Sequence, residues 1–443
     1  MRKPQSTLGG IIFLLVAFSL ANGLDRQSPD DYHARRDALA KKASGVVVLL
    51  APLEPIEELY AFRQDNNFYY LSGLTVPGAA LLVAPAVEAR GENPARPYSE
   101  VLFLPPRNLR RERFTGPKLG AEDPDAPRIT GFDRVEPMSK LPEEVAKVLV
   151  GARPILYTEV SETEPTEASR ALSFLKWTNT SVELGDVKPV LSSLRTVKDA
   201  GEIGLIRRAV DASVAAHFAA MKAIKPGMKE YEISSLMEYE WGRRGCERPS
   251  YPPIVGSGHN STVLHYSDNT GTMQAGDVVV IDAAAEYSMY AADITRTFPI
   301  GGHFSDRERE IYNIVLGAQE AAIAAFQSGK STLMGDSENS LQRVAKEYIN
   351  SHGKDLHGQP LGQYYIHGVG HYIGLEVHDS GDYKVPLSPG MTFTIEPGIY
   401  IPEENIGVRI EDDFLVDQDG KLIKLSAALP SRAEDVEKIM SGK

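Results

Sequence analysis

The sequence predicts an α/β (α+β) protein: an N-terminal mixed α/β domain over residues 28–190, then a C-terminal domain over 200–443. Three observations predict it. Four short apolar runs in the first half end in turn residues, as strands do. From Ala200 onward, apolar residues recur at spacings of three and four, the helical period. Beyond that point, two helical stretches followed by two strand candidates occur twice, which suggests a duplicated unit whose halves face each other across a cleft.

The chain opens with "MRKPQSTLGGIIFLLVAFSLANGLDRQ", where Arg2 and Lys3 precede an apolar run from Ile11 to Ala21 and then small residues. That is the layout of a signal peptide, expected over 1–23. The run is short for a spanning helix. The mature chain is therefore expected to be periplasmic or secreted, with no stable membrane anchor after cleavage; an uncleaved anchor is the alternative. A single cysteine, Cys246, excludes an internal disulfide. A length of 443 residues suggests two or three domains, enough core to need no such staple. The net charge of −13 disfavours nucleic acid as a partner.

In the N-terminal domain, "GVVVLLAP", "GAALLVAP", "SEVLFLPP" and "RPILYTE" read as strands. "FRQDNNFYYLSGL", Phe62 to Leu74, reads as a strand edge packed on the core. "DVKPVLSSLRTVKDAGEI" is the connection. Ile203, Ile206, Val210, Val214 and Phe218 then mark a helix that "KPGM" stops. A second helix is expected around Tyr231 to Arg244, and strands in "GDVVVIDAAAEY" and "YAADITRTFPIG". The second unit has a helix capped by Ser305 or Asp306 and another from Asp336 to about His352. Strands "FTIEPGIYI" and "GVRIEDDFLV" follow.

Chemistry concentrates in "HGVGHYIGLEVHD", His367 to Asp379. His367 and His371 would share one face of a helix, as in helical zinc sites. Those sites also need a glutamate after the first histidine, where Gly368 stands. Gly368, Gly370 and Gly374 each cost a helix about 1 kcal/mol relative to alanine. The segment is therefore expected to be extended, its glycines marking bulges or close approach, with further ligands from elsewhere.

Asp282 and Asp293 sit inside strand candidates, where an unpartnered charge is costly. A turn centred on Tyr287–Ser288 would set them directly opposite each other. Glu396 and Glu411 oppose each other if the next hairpin is centred on Glu403–Glu404, with Pro397–Gly398 expected to bulge the strand. Two carboxylates about 4 Å apart repel by about 4 kcal/mol at an effective dielectric near 20. Shared protons would relieve four converging carboxylates; two divalent cations, with His371 completing the set, would relieve them better. Such an oxygen-rich donor set suits manganese, and also cobalt or zinc.

The order of these residues resembles the "pita-bread" metallopeptidases, and most closely the Xaa-Pro aminopeptidase (aminopeptidase P) family. Asp282 and Asp293, "HGVGHYIGLEVHD", "TIEPGIYI" and "GVRIEDD" match the family's ligand motifs, and "LHYSDN" with His265 its substrate-side histidine motif. "FRQDNNFYYLSG" resembles the N-terminal domain that family shares with prolidase. The resemblance covers nearly all the mature chain. It implies a pseudo-twofold C-terminal domain with a curved, mainly antiparallel sheet covered by helices. It also implies that Asp282 chelates one metal, Asp293 and Glu411 bridge two, and His371 and Glu396 hold the other. Glu396 would be general base on a metal-bridging hydroxide. His265, His367 and His378 would orient the peptide and steady the oxyanion, and Arg409 would support Glu411 or the substrate. The expected reaction is hydrolysis of the bond between an N-terminal residue and a following proline, in proline-containing peptides, by a homodimer or homotetramer.

The nearest rival is prolidase, which cleaves Xaa-Pro dipeptides. Methionine aminopeptidase lacks the large N-terminal domain, and creatinase works without the metal site. A rival of another class is a non-catalytic peptide- or protein-binding module of the same fold.

Overall fold

The computed structural model describes residues 24–54, 62–89, 95–149, 154–159, 182–335 and 337–442. The signal peptide expected over 1–23 lies outside them. Among the described residues no helix is long and apolar enough to cross a membrane.

The first helix, Pro29–Lys42, begins where Ser28 and Asp31 cap each other reciprocally. The four apolar runs are strands as expected: β1 (Val46–Leu50), β2 (Ala80–Ala84), β3 (Ser99–Leu104) and, after β4 (Arg134–Pro137), β5 (Ile155–Thr158). With β6 (Glu183–Asp186) they form one mixed sheet in the order β4-β3-β2-β1-β5-β6. Side chains alternate between two buried faces. Val46, Val48, Leu82 and Phe103 pack on Leu141 and Val145. Val47, Leu49, Leu81 and Leu102 face the other way, into a core that also contains Leu205 and Ile206 of the C-terminal part.

The stretch from Phe62 to Leu74 departs from its reading as a strand edge. Asn66–Ser72 is a helix, capped by Asp65, whose side chain accepts the Phe68 N–H, and stopped by Gly73 at φ 61°. The aromatic run is helical because a cap and a left-handed glycine bracket it. The connection also holds a helix, Lys188–Arg195.

The repeated unit is present. Helices Ala200–Ala223 and Glu230–Gly242 precede β7 (Arg248–Pro249), β8 (Ile254–Ser257), β9 (Val278–Asp282), β10 (Ala285–Tyr287), β11 (Tyr290–Ala291) and β12 (Thr295–Pro299). Helices Asp306–Ala325 and Leu341–His352 precede β13 (Thr392–Ile395), β14 (Gly398–Ile401), β15 (Ile406–Arg409), β16 (Asp412–Val416) and β17 (Leu422–Lys424). The Asp199–Glu202 and Ser305–Glu308 capping boxes start the leading helix of each half. The helix expected from Asp336 starts instead at Leu341, after the Ser340 cap; Asp336 itself lies outside the described residues.

Every pairing among β7 to β17 is antiparallel. The halves meet edge to edge where Thr295 bridges Glu411 and the Thr297 hydroxyl donates to the Arg409 carbonyl at 3.0 Å. The result is a curved, mainly antiparallel sheet with helices packed on it, and the candidate site lies over this seam.

Candidate metal and substrate site

The first carboxylate pair comes from the β9–β12 hairpin. Asp282 pairs with Thr295, not with Asp293. The turn is Ser288–Met289, one residue later than expected, and both residues take positive φ (49° and 74°). That is the backbone of a two-residue primed turn, occupied by residues that carry no turn signature. Each strand slips by one residue, so Asp293 falls two places from Asp282's partner and stays on the same face. The aspartates are diagonal neighbours rather than direct ones.

The second pair stands as expected. Ile395 pairs with Asp412 and Gly398 with Arg409, so one register runs through Glu396 and Glu411. Pro397 interrupts the ladder without adding a residue, so there is no bulge.

The histidine segment is neither helix nor regular strand. It runs along β13, held by a bridge from Tyr372 to Phe393 and by Thr394 N–H and Glu396 N–H donating to the carbonyls of His371 and Val369. The approach is so close at Gly370 that an added Cβ would lie 1.9 Å from the Thr394 carbonyl oxygen.

These elements bring all nine expected residues to one cavity of about 330 Å³, lined by Asp282, Asp293, His371, Glu396, Glu411, His265, His367, His378 and Arg409. His371 Nδ1–H donates to the Tyr372 carbonyl at 3.1 Å. Its Nε2 points at Asp293 (3.3 Å), Glu396 (3.6 Å) and Glu411 (3.9 Å). Asp293, His371 and Glu411 each offer a ligand atom within 4.8 Å of the others. Asp282 Oδ2 accepts from Arg409 at 2.6 Å, while Asp282 Oδ1 and Glu411 Oε1 are buried without a hydrogen-bond partner among the described residues.

The electrostatics describe a site short of positive charge. Burial, followed by the charge of Asp293, pushes Glu411 well above the usual carboxylate range. Burial likewise pushes Glu396 up to about 7 and raises Asp282 despite Arg409. Burial opposes a charge on His371, but hydrogen bonding to Asp293 and the charge of Glu396 outweigh it and raise the imidazole to about 9. A cation replacing that proton would find an imidazole nitrogen and carboxylate oxygens already aimed at it. The donor set therefore fits divalent metal.

The three further histidines differ. Burial, then the Arg409 charge, lowers His367 to about 4, so it is neutral at pH 7. Its Nδ1 faces the Gly368 carbonyl, leaving Nε2 to accept from the Tyr400 hydroxyl at 2.8 Å. Tyr400 in turn accepts from Arg409 at 2.7 Å. His265 and His378 are exposed at the cavity and have no hydrogen-bond partner among the described residues. The His378 ring stands edge-on to His371 at 4.4 Å.

Sequence reasoning missed four supports. Tyr251 donates to Asp293. Thr295 donates to Glu411 at 2.6 Å and accepts from Arg409. Asp413 accepts the Asp293 N–H at 3.0 Å, and Tyr400 orients His367. The two-residue period was a usable signal for two of them: Thr295 follows Asp293, and Asp413 follows Glu411, on the same strand face. His217, also missed, lies behind the hairpin and donates from Nε2 to the carbonyls of Ala283 (3.0 Å) and Ile294 (3.2 Å).

Comparison with known proteins gives the site a context. Residues 204–418 match the model of metallopeptidase family M24, and residues 32–157 that of the aminopeptidase P N-terminal domain. The chain is 35% identical to the Xaa-Pro aminopeptidase of Haemophilus influenzae over 86% of its length and 89% of the relative's. The chain belongs to metallopeptidase family M24. A second relative, the Xaa-Pro aminopeptidase of Escherichia coli, is 33% identical over 93% of this chain and 98% of its own. The structure of aminopeptidase P from E. coli with the inhibitor Pro-Leu superimposes with a TM-score of 0.81 at 30% identity, covering 94% of this chain and 99% of that one. The fold is thus that of aminopeptidase P, and the chain is a hydrolase, a proline-specific metalloaminopeptidase.

Proposed function

We propose that this chain is an exported exopeptidase that holds two divalent metal ions, most favourably Mn²⁺, and hydrolyses the Xaa-Pro bond at a peptide's N-terminus. The observation that carries this reading is the convergence of four buried or half-buried carboxylates and His371 Nε2 on one cavity, with carboxylate oxygens left unpartnered. Asp282, Asp293, His371, Glu396 and Glu411 would hold the metals. When bound, the ions would acidify a water and polarise the scissile carbonyl.

The chain's own groups do the rest. Glu396 takes the proton of the attacking water and delivers it to the departing nitrogen, which as a tertiary amide has no proton of its own. His265 and His378, with free ring nitrogens, bind the peptide and the developing oxyanion. His367, committed to Tyr400, is a fixed wall beside them. Arg409 holds one oxygen of Asp282 so that the other faces the cavity. Export rests on the leader-like first 23 residues, and a dimer or tetramer is expected from the family.

The deciding experiment supplies the mature protein and Mn²⁺ with Gly-Pro and with a longer Xaa-Pro-Xaa peptide. Release of the first residue from the longer peptide supports the proposal. Cleavage of the dipeptide alone would make the chain a prolidase, and no cleavage with no bound metal would make it a binding module.

A further inference from the structure

The turn that presents His378 has no ladder of its own. Residues 374–379 are neither helix nor strand, yet Val377 and His378 line the substrate cavities. Backbone bonds tie its two ends, Ala291 N–H to the Gly374 carbonyl at 2.8 Å and Asp379 N–H to the Tyr372 carbonyl at 2.9 Å; side chains add to them, and several come from outside the catalytic part. Arg195, at the end of the connecting helix and 3% exposed, reaches in two directions. Its Nη1 donates to Asn67 Oδ1 of the N-terminal domain at 2.8 Å. Its Nη2 contacts Asp379 and donates to Glu376 at 3.2 Å. Asp379 is buried, its other oxygen 2.9 Å from Lys198 Nζ. Asn66 donates to the same Glu376 oxygen at 2.9 Å, and Arg63 donates to the Leu375 carbonyl at 3.3 Å. The turn wraps this cluster tightly: a Cβ on Gly374 would lie 2.1 Å from Asp379 Oδ2.

We infer that Arg195 is a positioning residue that couples docking of the N-terminal domain, through Asn67, to the placement of His378. The N-terminal domain, although none of its described residues lines the cavity, then sets one of the groups that meets the peptide. The inference rests on the proposed role of His378 at the substrate.

The test compares Arg195→Gln, Arg195→Lys, His378→Ala and the Arg195→Gln/His378→Ala pair. Lys198 still neutralises Asp379 in each variant, so the fold should survive; should Arg195→Gln not fold, Asn67→Ala replaces it in the same cycle. We expect Arg195→Gln to lower kcat/KM on an Xaa-Pro-Xaa peptide by about 10- to 100-fold with metal content unchanged, since displacements near 1 Å carry such costs. Arg195→Lys should recover part of that. In the His378→Ala background the further loss should be less than about twofold, the mark of residues acting as one unit. Full additivity, or an unaltered Arg195→Gln enzyme, would overturn the inference. Hydrogen exchange supplies a readout without turnover. Amides of 372–380 should exchange faster in Arg195→Gln while those of 392–396 do not, and unchanged exchange in both would also overturn it. An inactive wild type in which exchange at 372–380 still responds would sink the peptidase reading and leave the coupling standing.

Discussion

At the scale of the residue, the site is a set of charges that burial makes uncomfortable. Glu396→Ala removes both a donor and the proposed proton carrier. Turnover should fall by at least about 100-fold with the circular dichroism spectrum retained. Asp293→Ala should empty the site, seen as loss of bound divalent metal by elemental analysis; an active variant of either residue would end the two-metal reading. His217 gives a prediction about pH. Burial, then the Arg296 charge, lowers its imidazole to about 3, against about 6.5 in an unfolded chain. Between those values the unfolded state binds a proton that the folded state refuses. Stability is therefore intact above about pH 6.5 and falls as pH drops towards 3, by up to about 1.4 kcal/mol per unit. His217→Phe should show a shallower acid limb in urea titrations between pH 6.5 and 4.5.

At the scale of the element, legibility depended on whether local signals named the turn. The Glu396–Glu411 register was readable from a hairpin centred on Glu403–Glu404, and Asn405 closes that turn in the left-handed conformation (φ 53°) that asparagine tolerates. The Asp282–Asp293 register was not, because Ser288 and Met289 enter that region without such a signature. Met289 is buried, and the Ser288 N–H donates to Glu247 at 2.9 Å, so tertiary contacts hold the turn. The helix at Asn66–Ser72 was missed for a related reason: four aromatic or apolar residues in a row outvoted Asp65 and Gly73. The histidine segment was legible as non-helical from its glycines. Gly370→Ala tests its seating on β13. Backbone must move to accommodate the methyl, at a cost of about 1–3 kcal/mol, so urea midpoints should fall and metal affinity with them.

At the scale of the whole molecule, the motifs made the C-terminal half readable in order and the N-terminal half readable only as strands. Nothing in the sequence indicated that the two share a core, yet Leu49 and Leu81 belong to the same buried cluster as Leu205 and Ile206. The pair should unfold as one: calorimetry of the metal-free protein should give a single transition whose van't Hoff and calorimetric enthalpies agree, and two resolved peaks would contradict the shared core. Chelation should lower the melting temperature. Cation restored at about 100 times its dissociation constant returns about 2.7 kcal/mol.

The unpartnered oxygens of Asp282 and Glu411 have a consequence outside the test tube. A chain that folds around mutually repelling carboxylates is completed by what it captures. Where divalent cation is scarce, more molecules would sample open forms, and proteases act on those. The amount of this peptidase, and not only its turnover rate, would then follow the local supply of metal: starvation would clear the protein rather than store it idle.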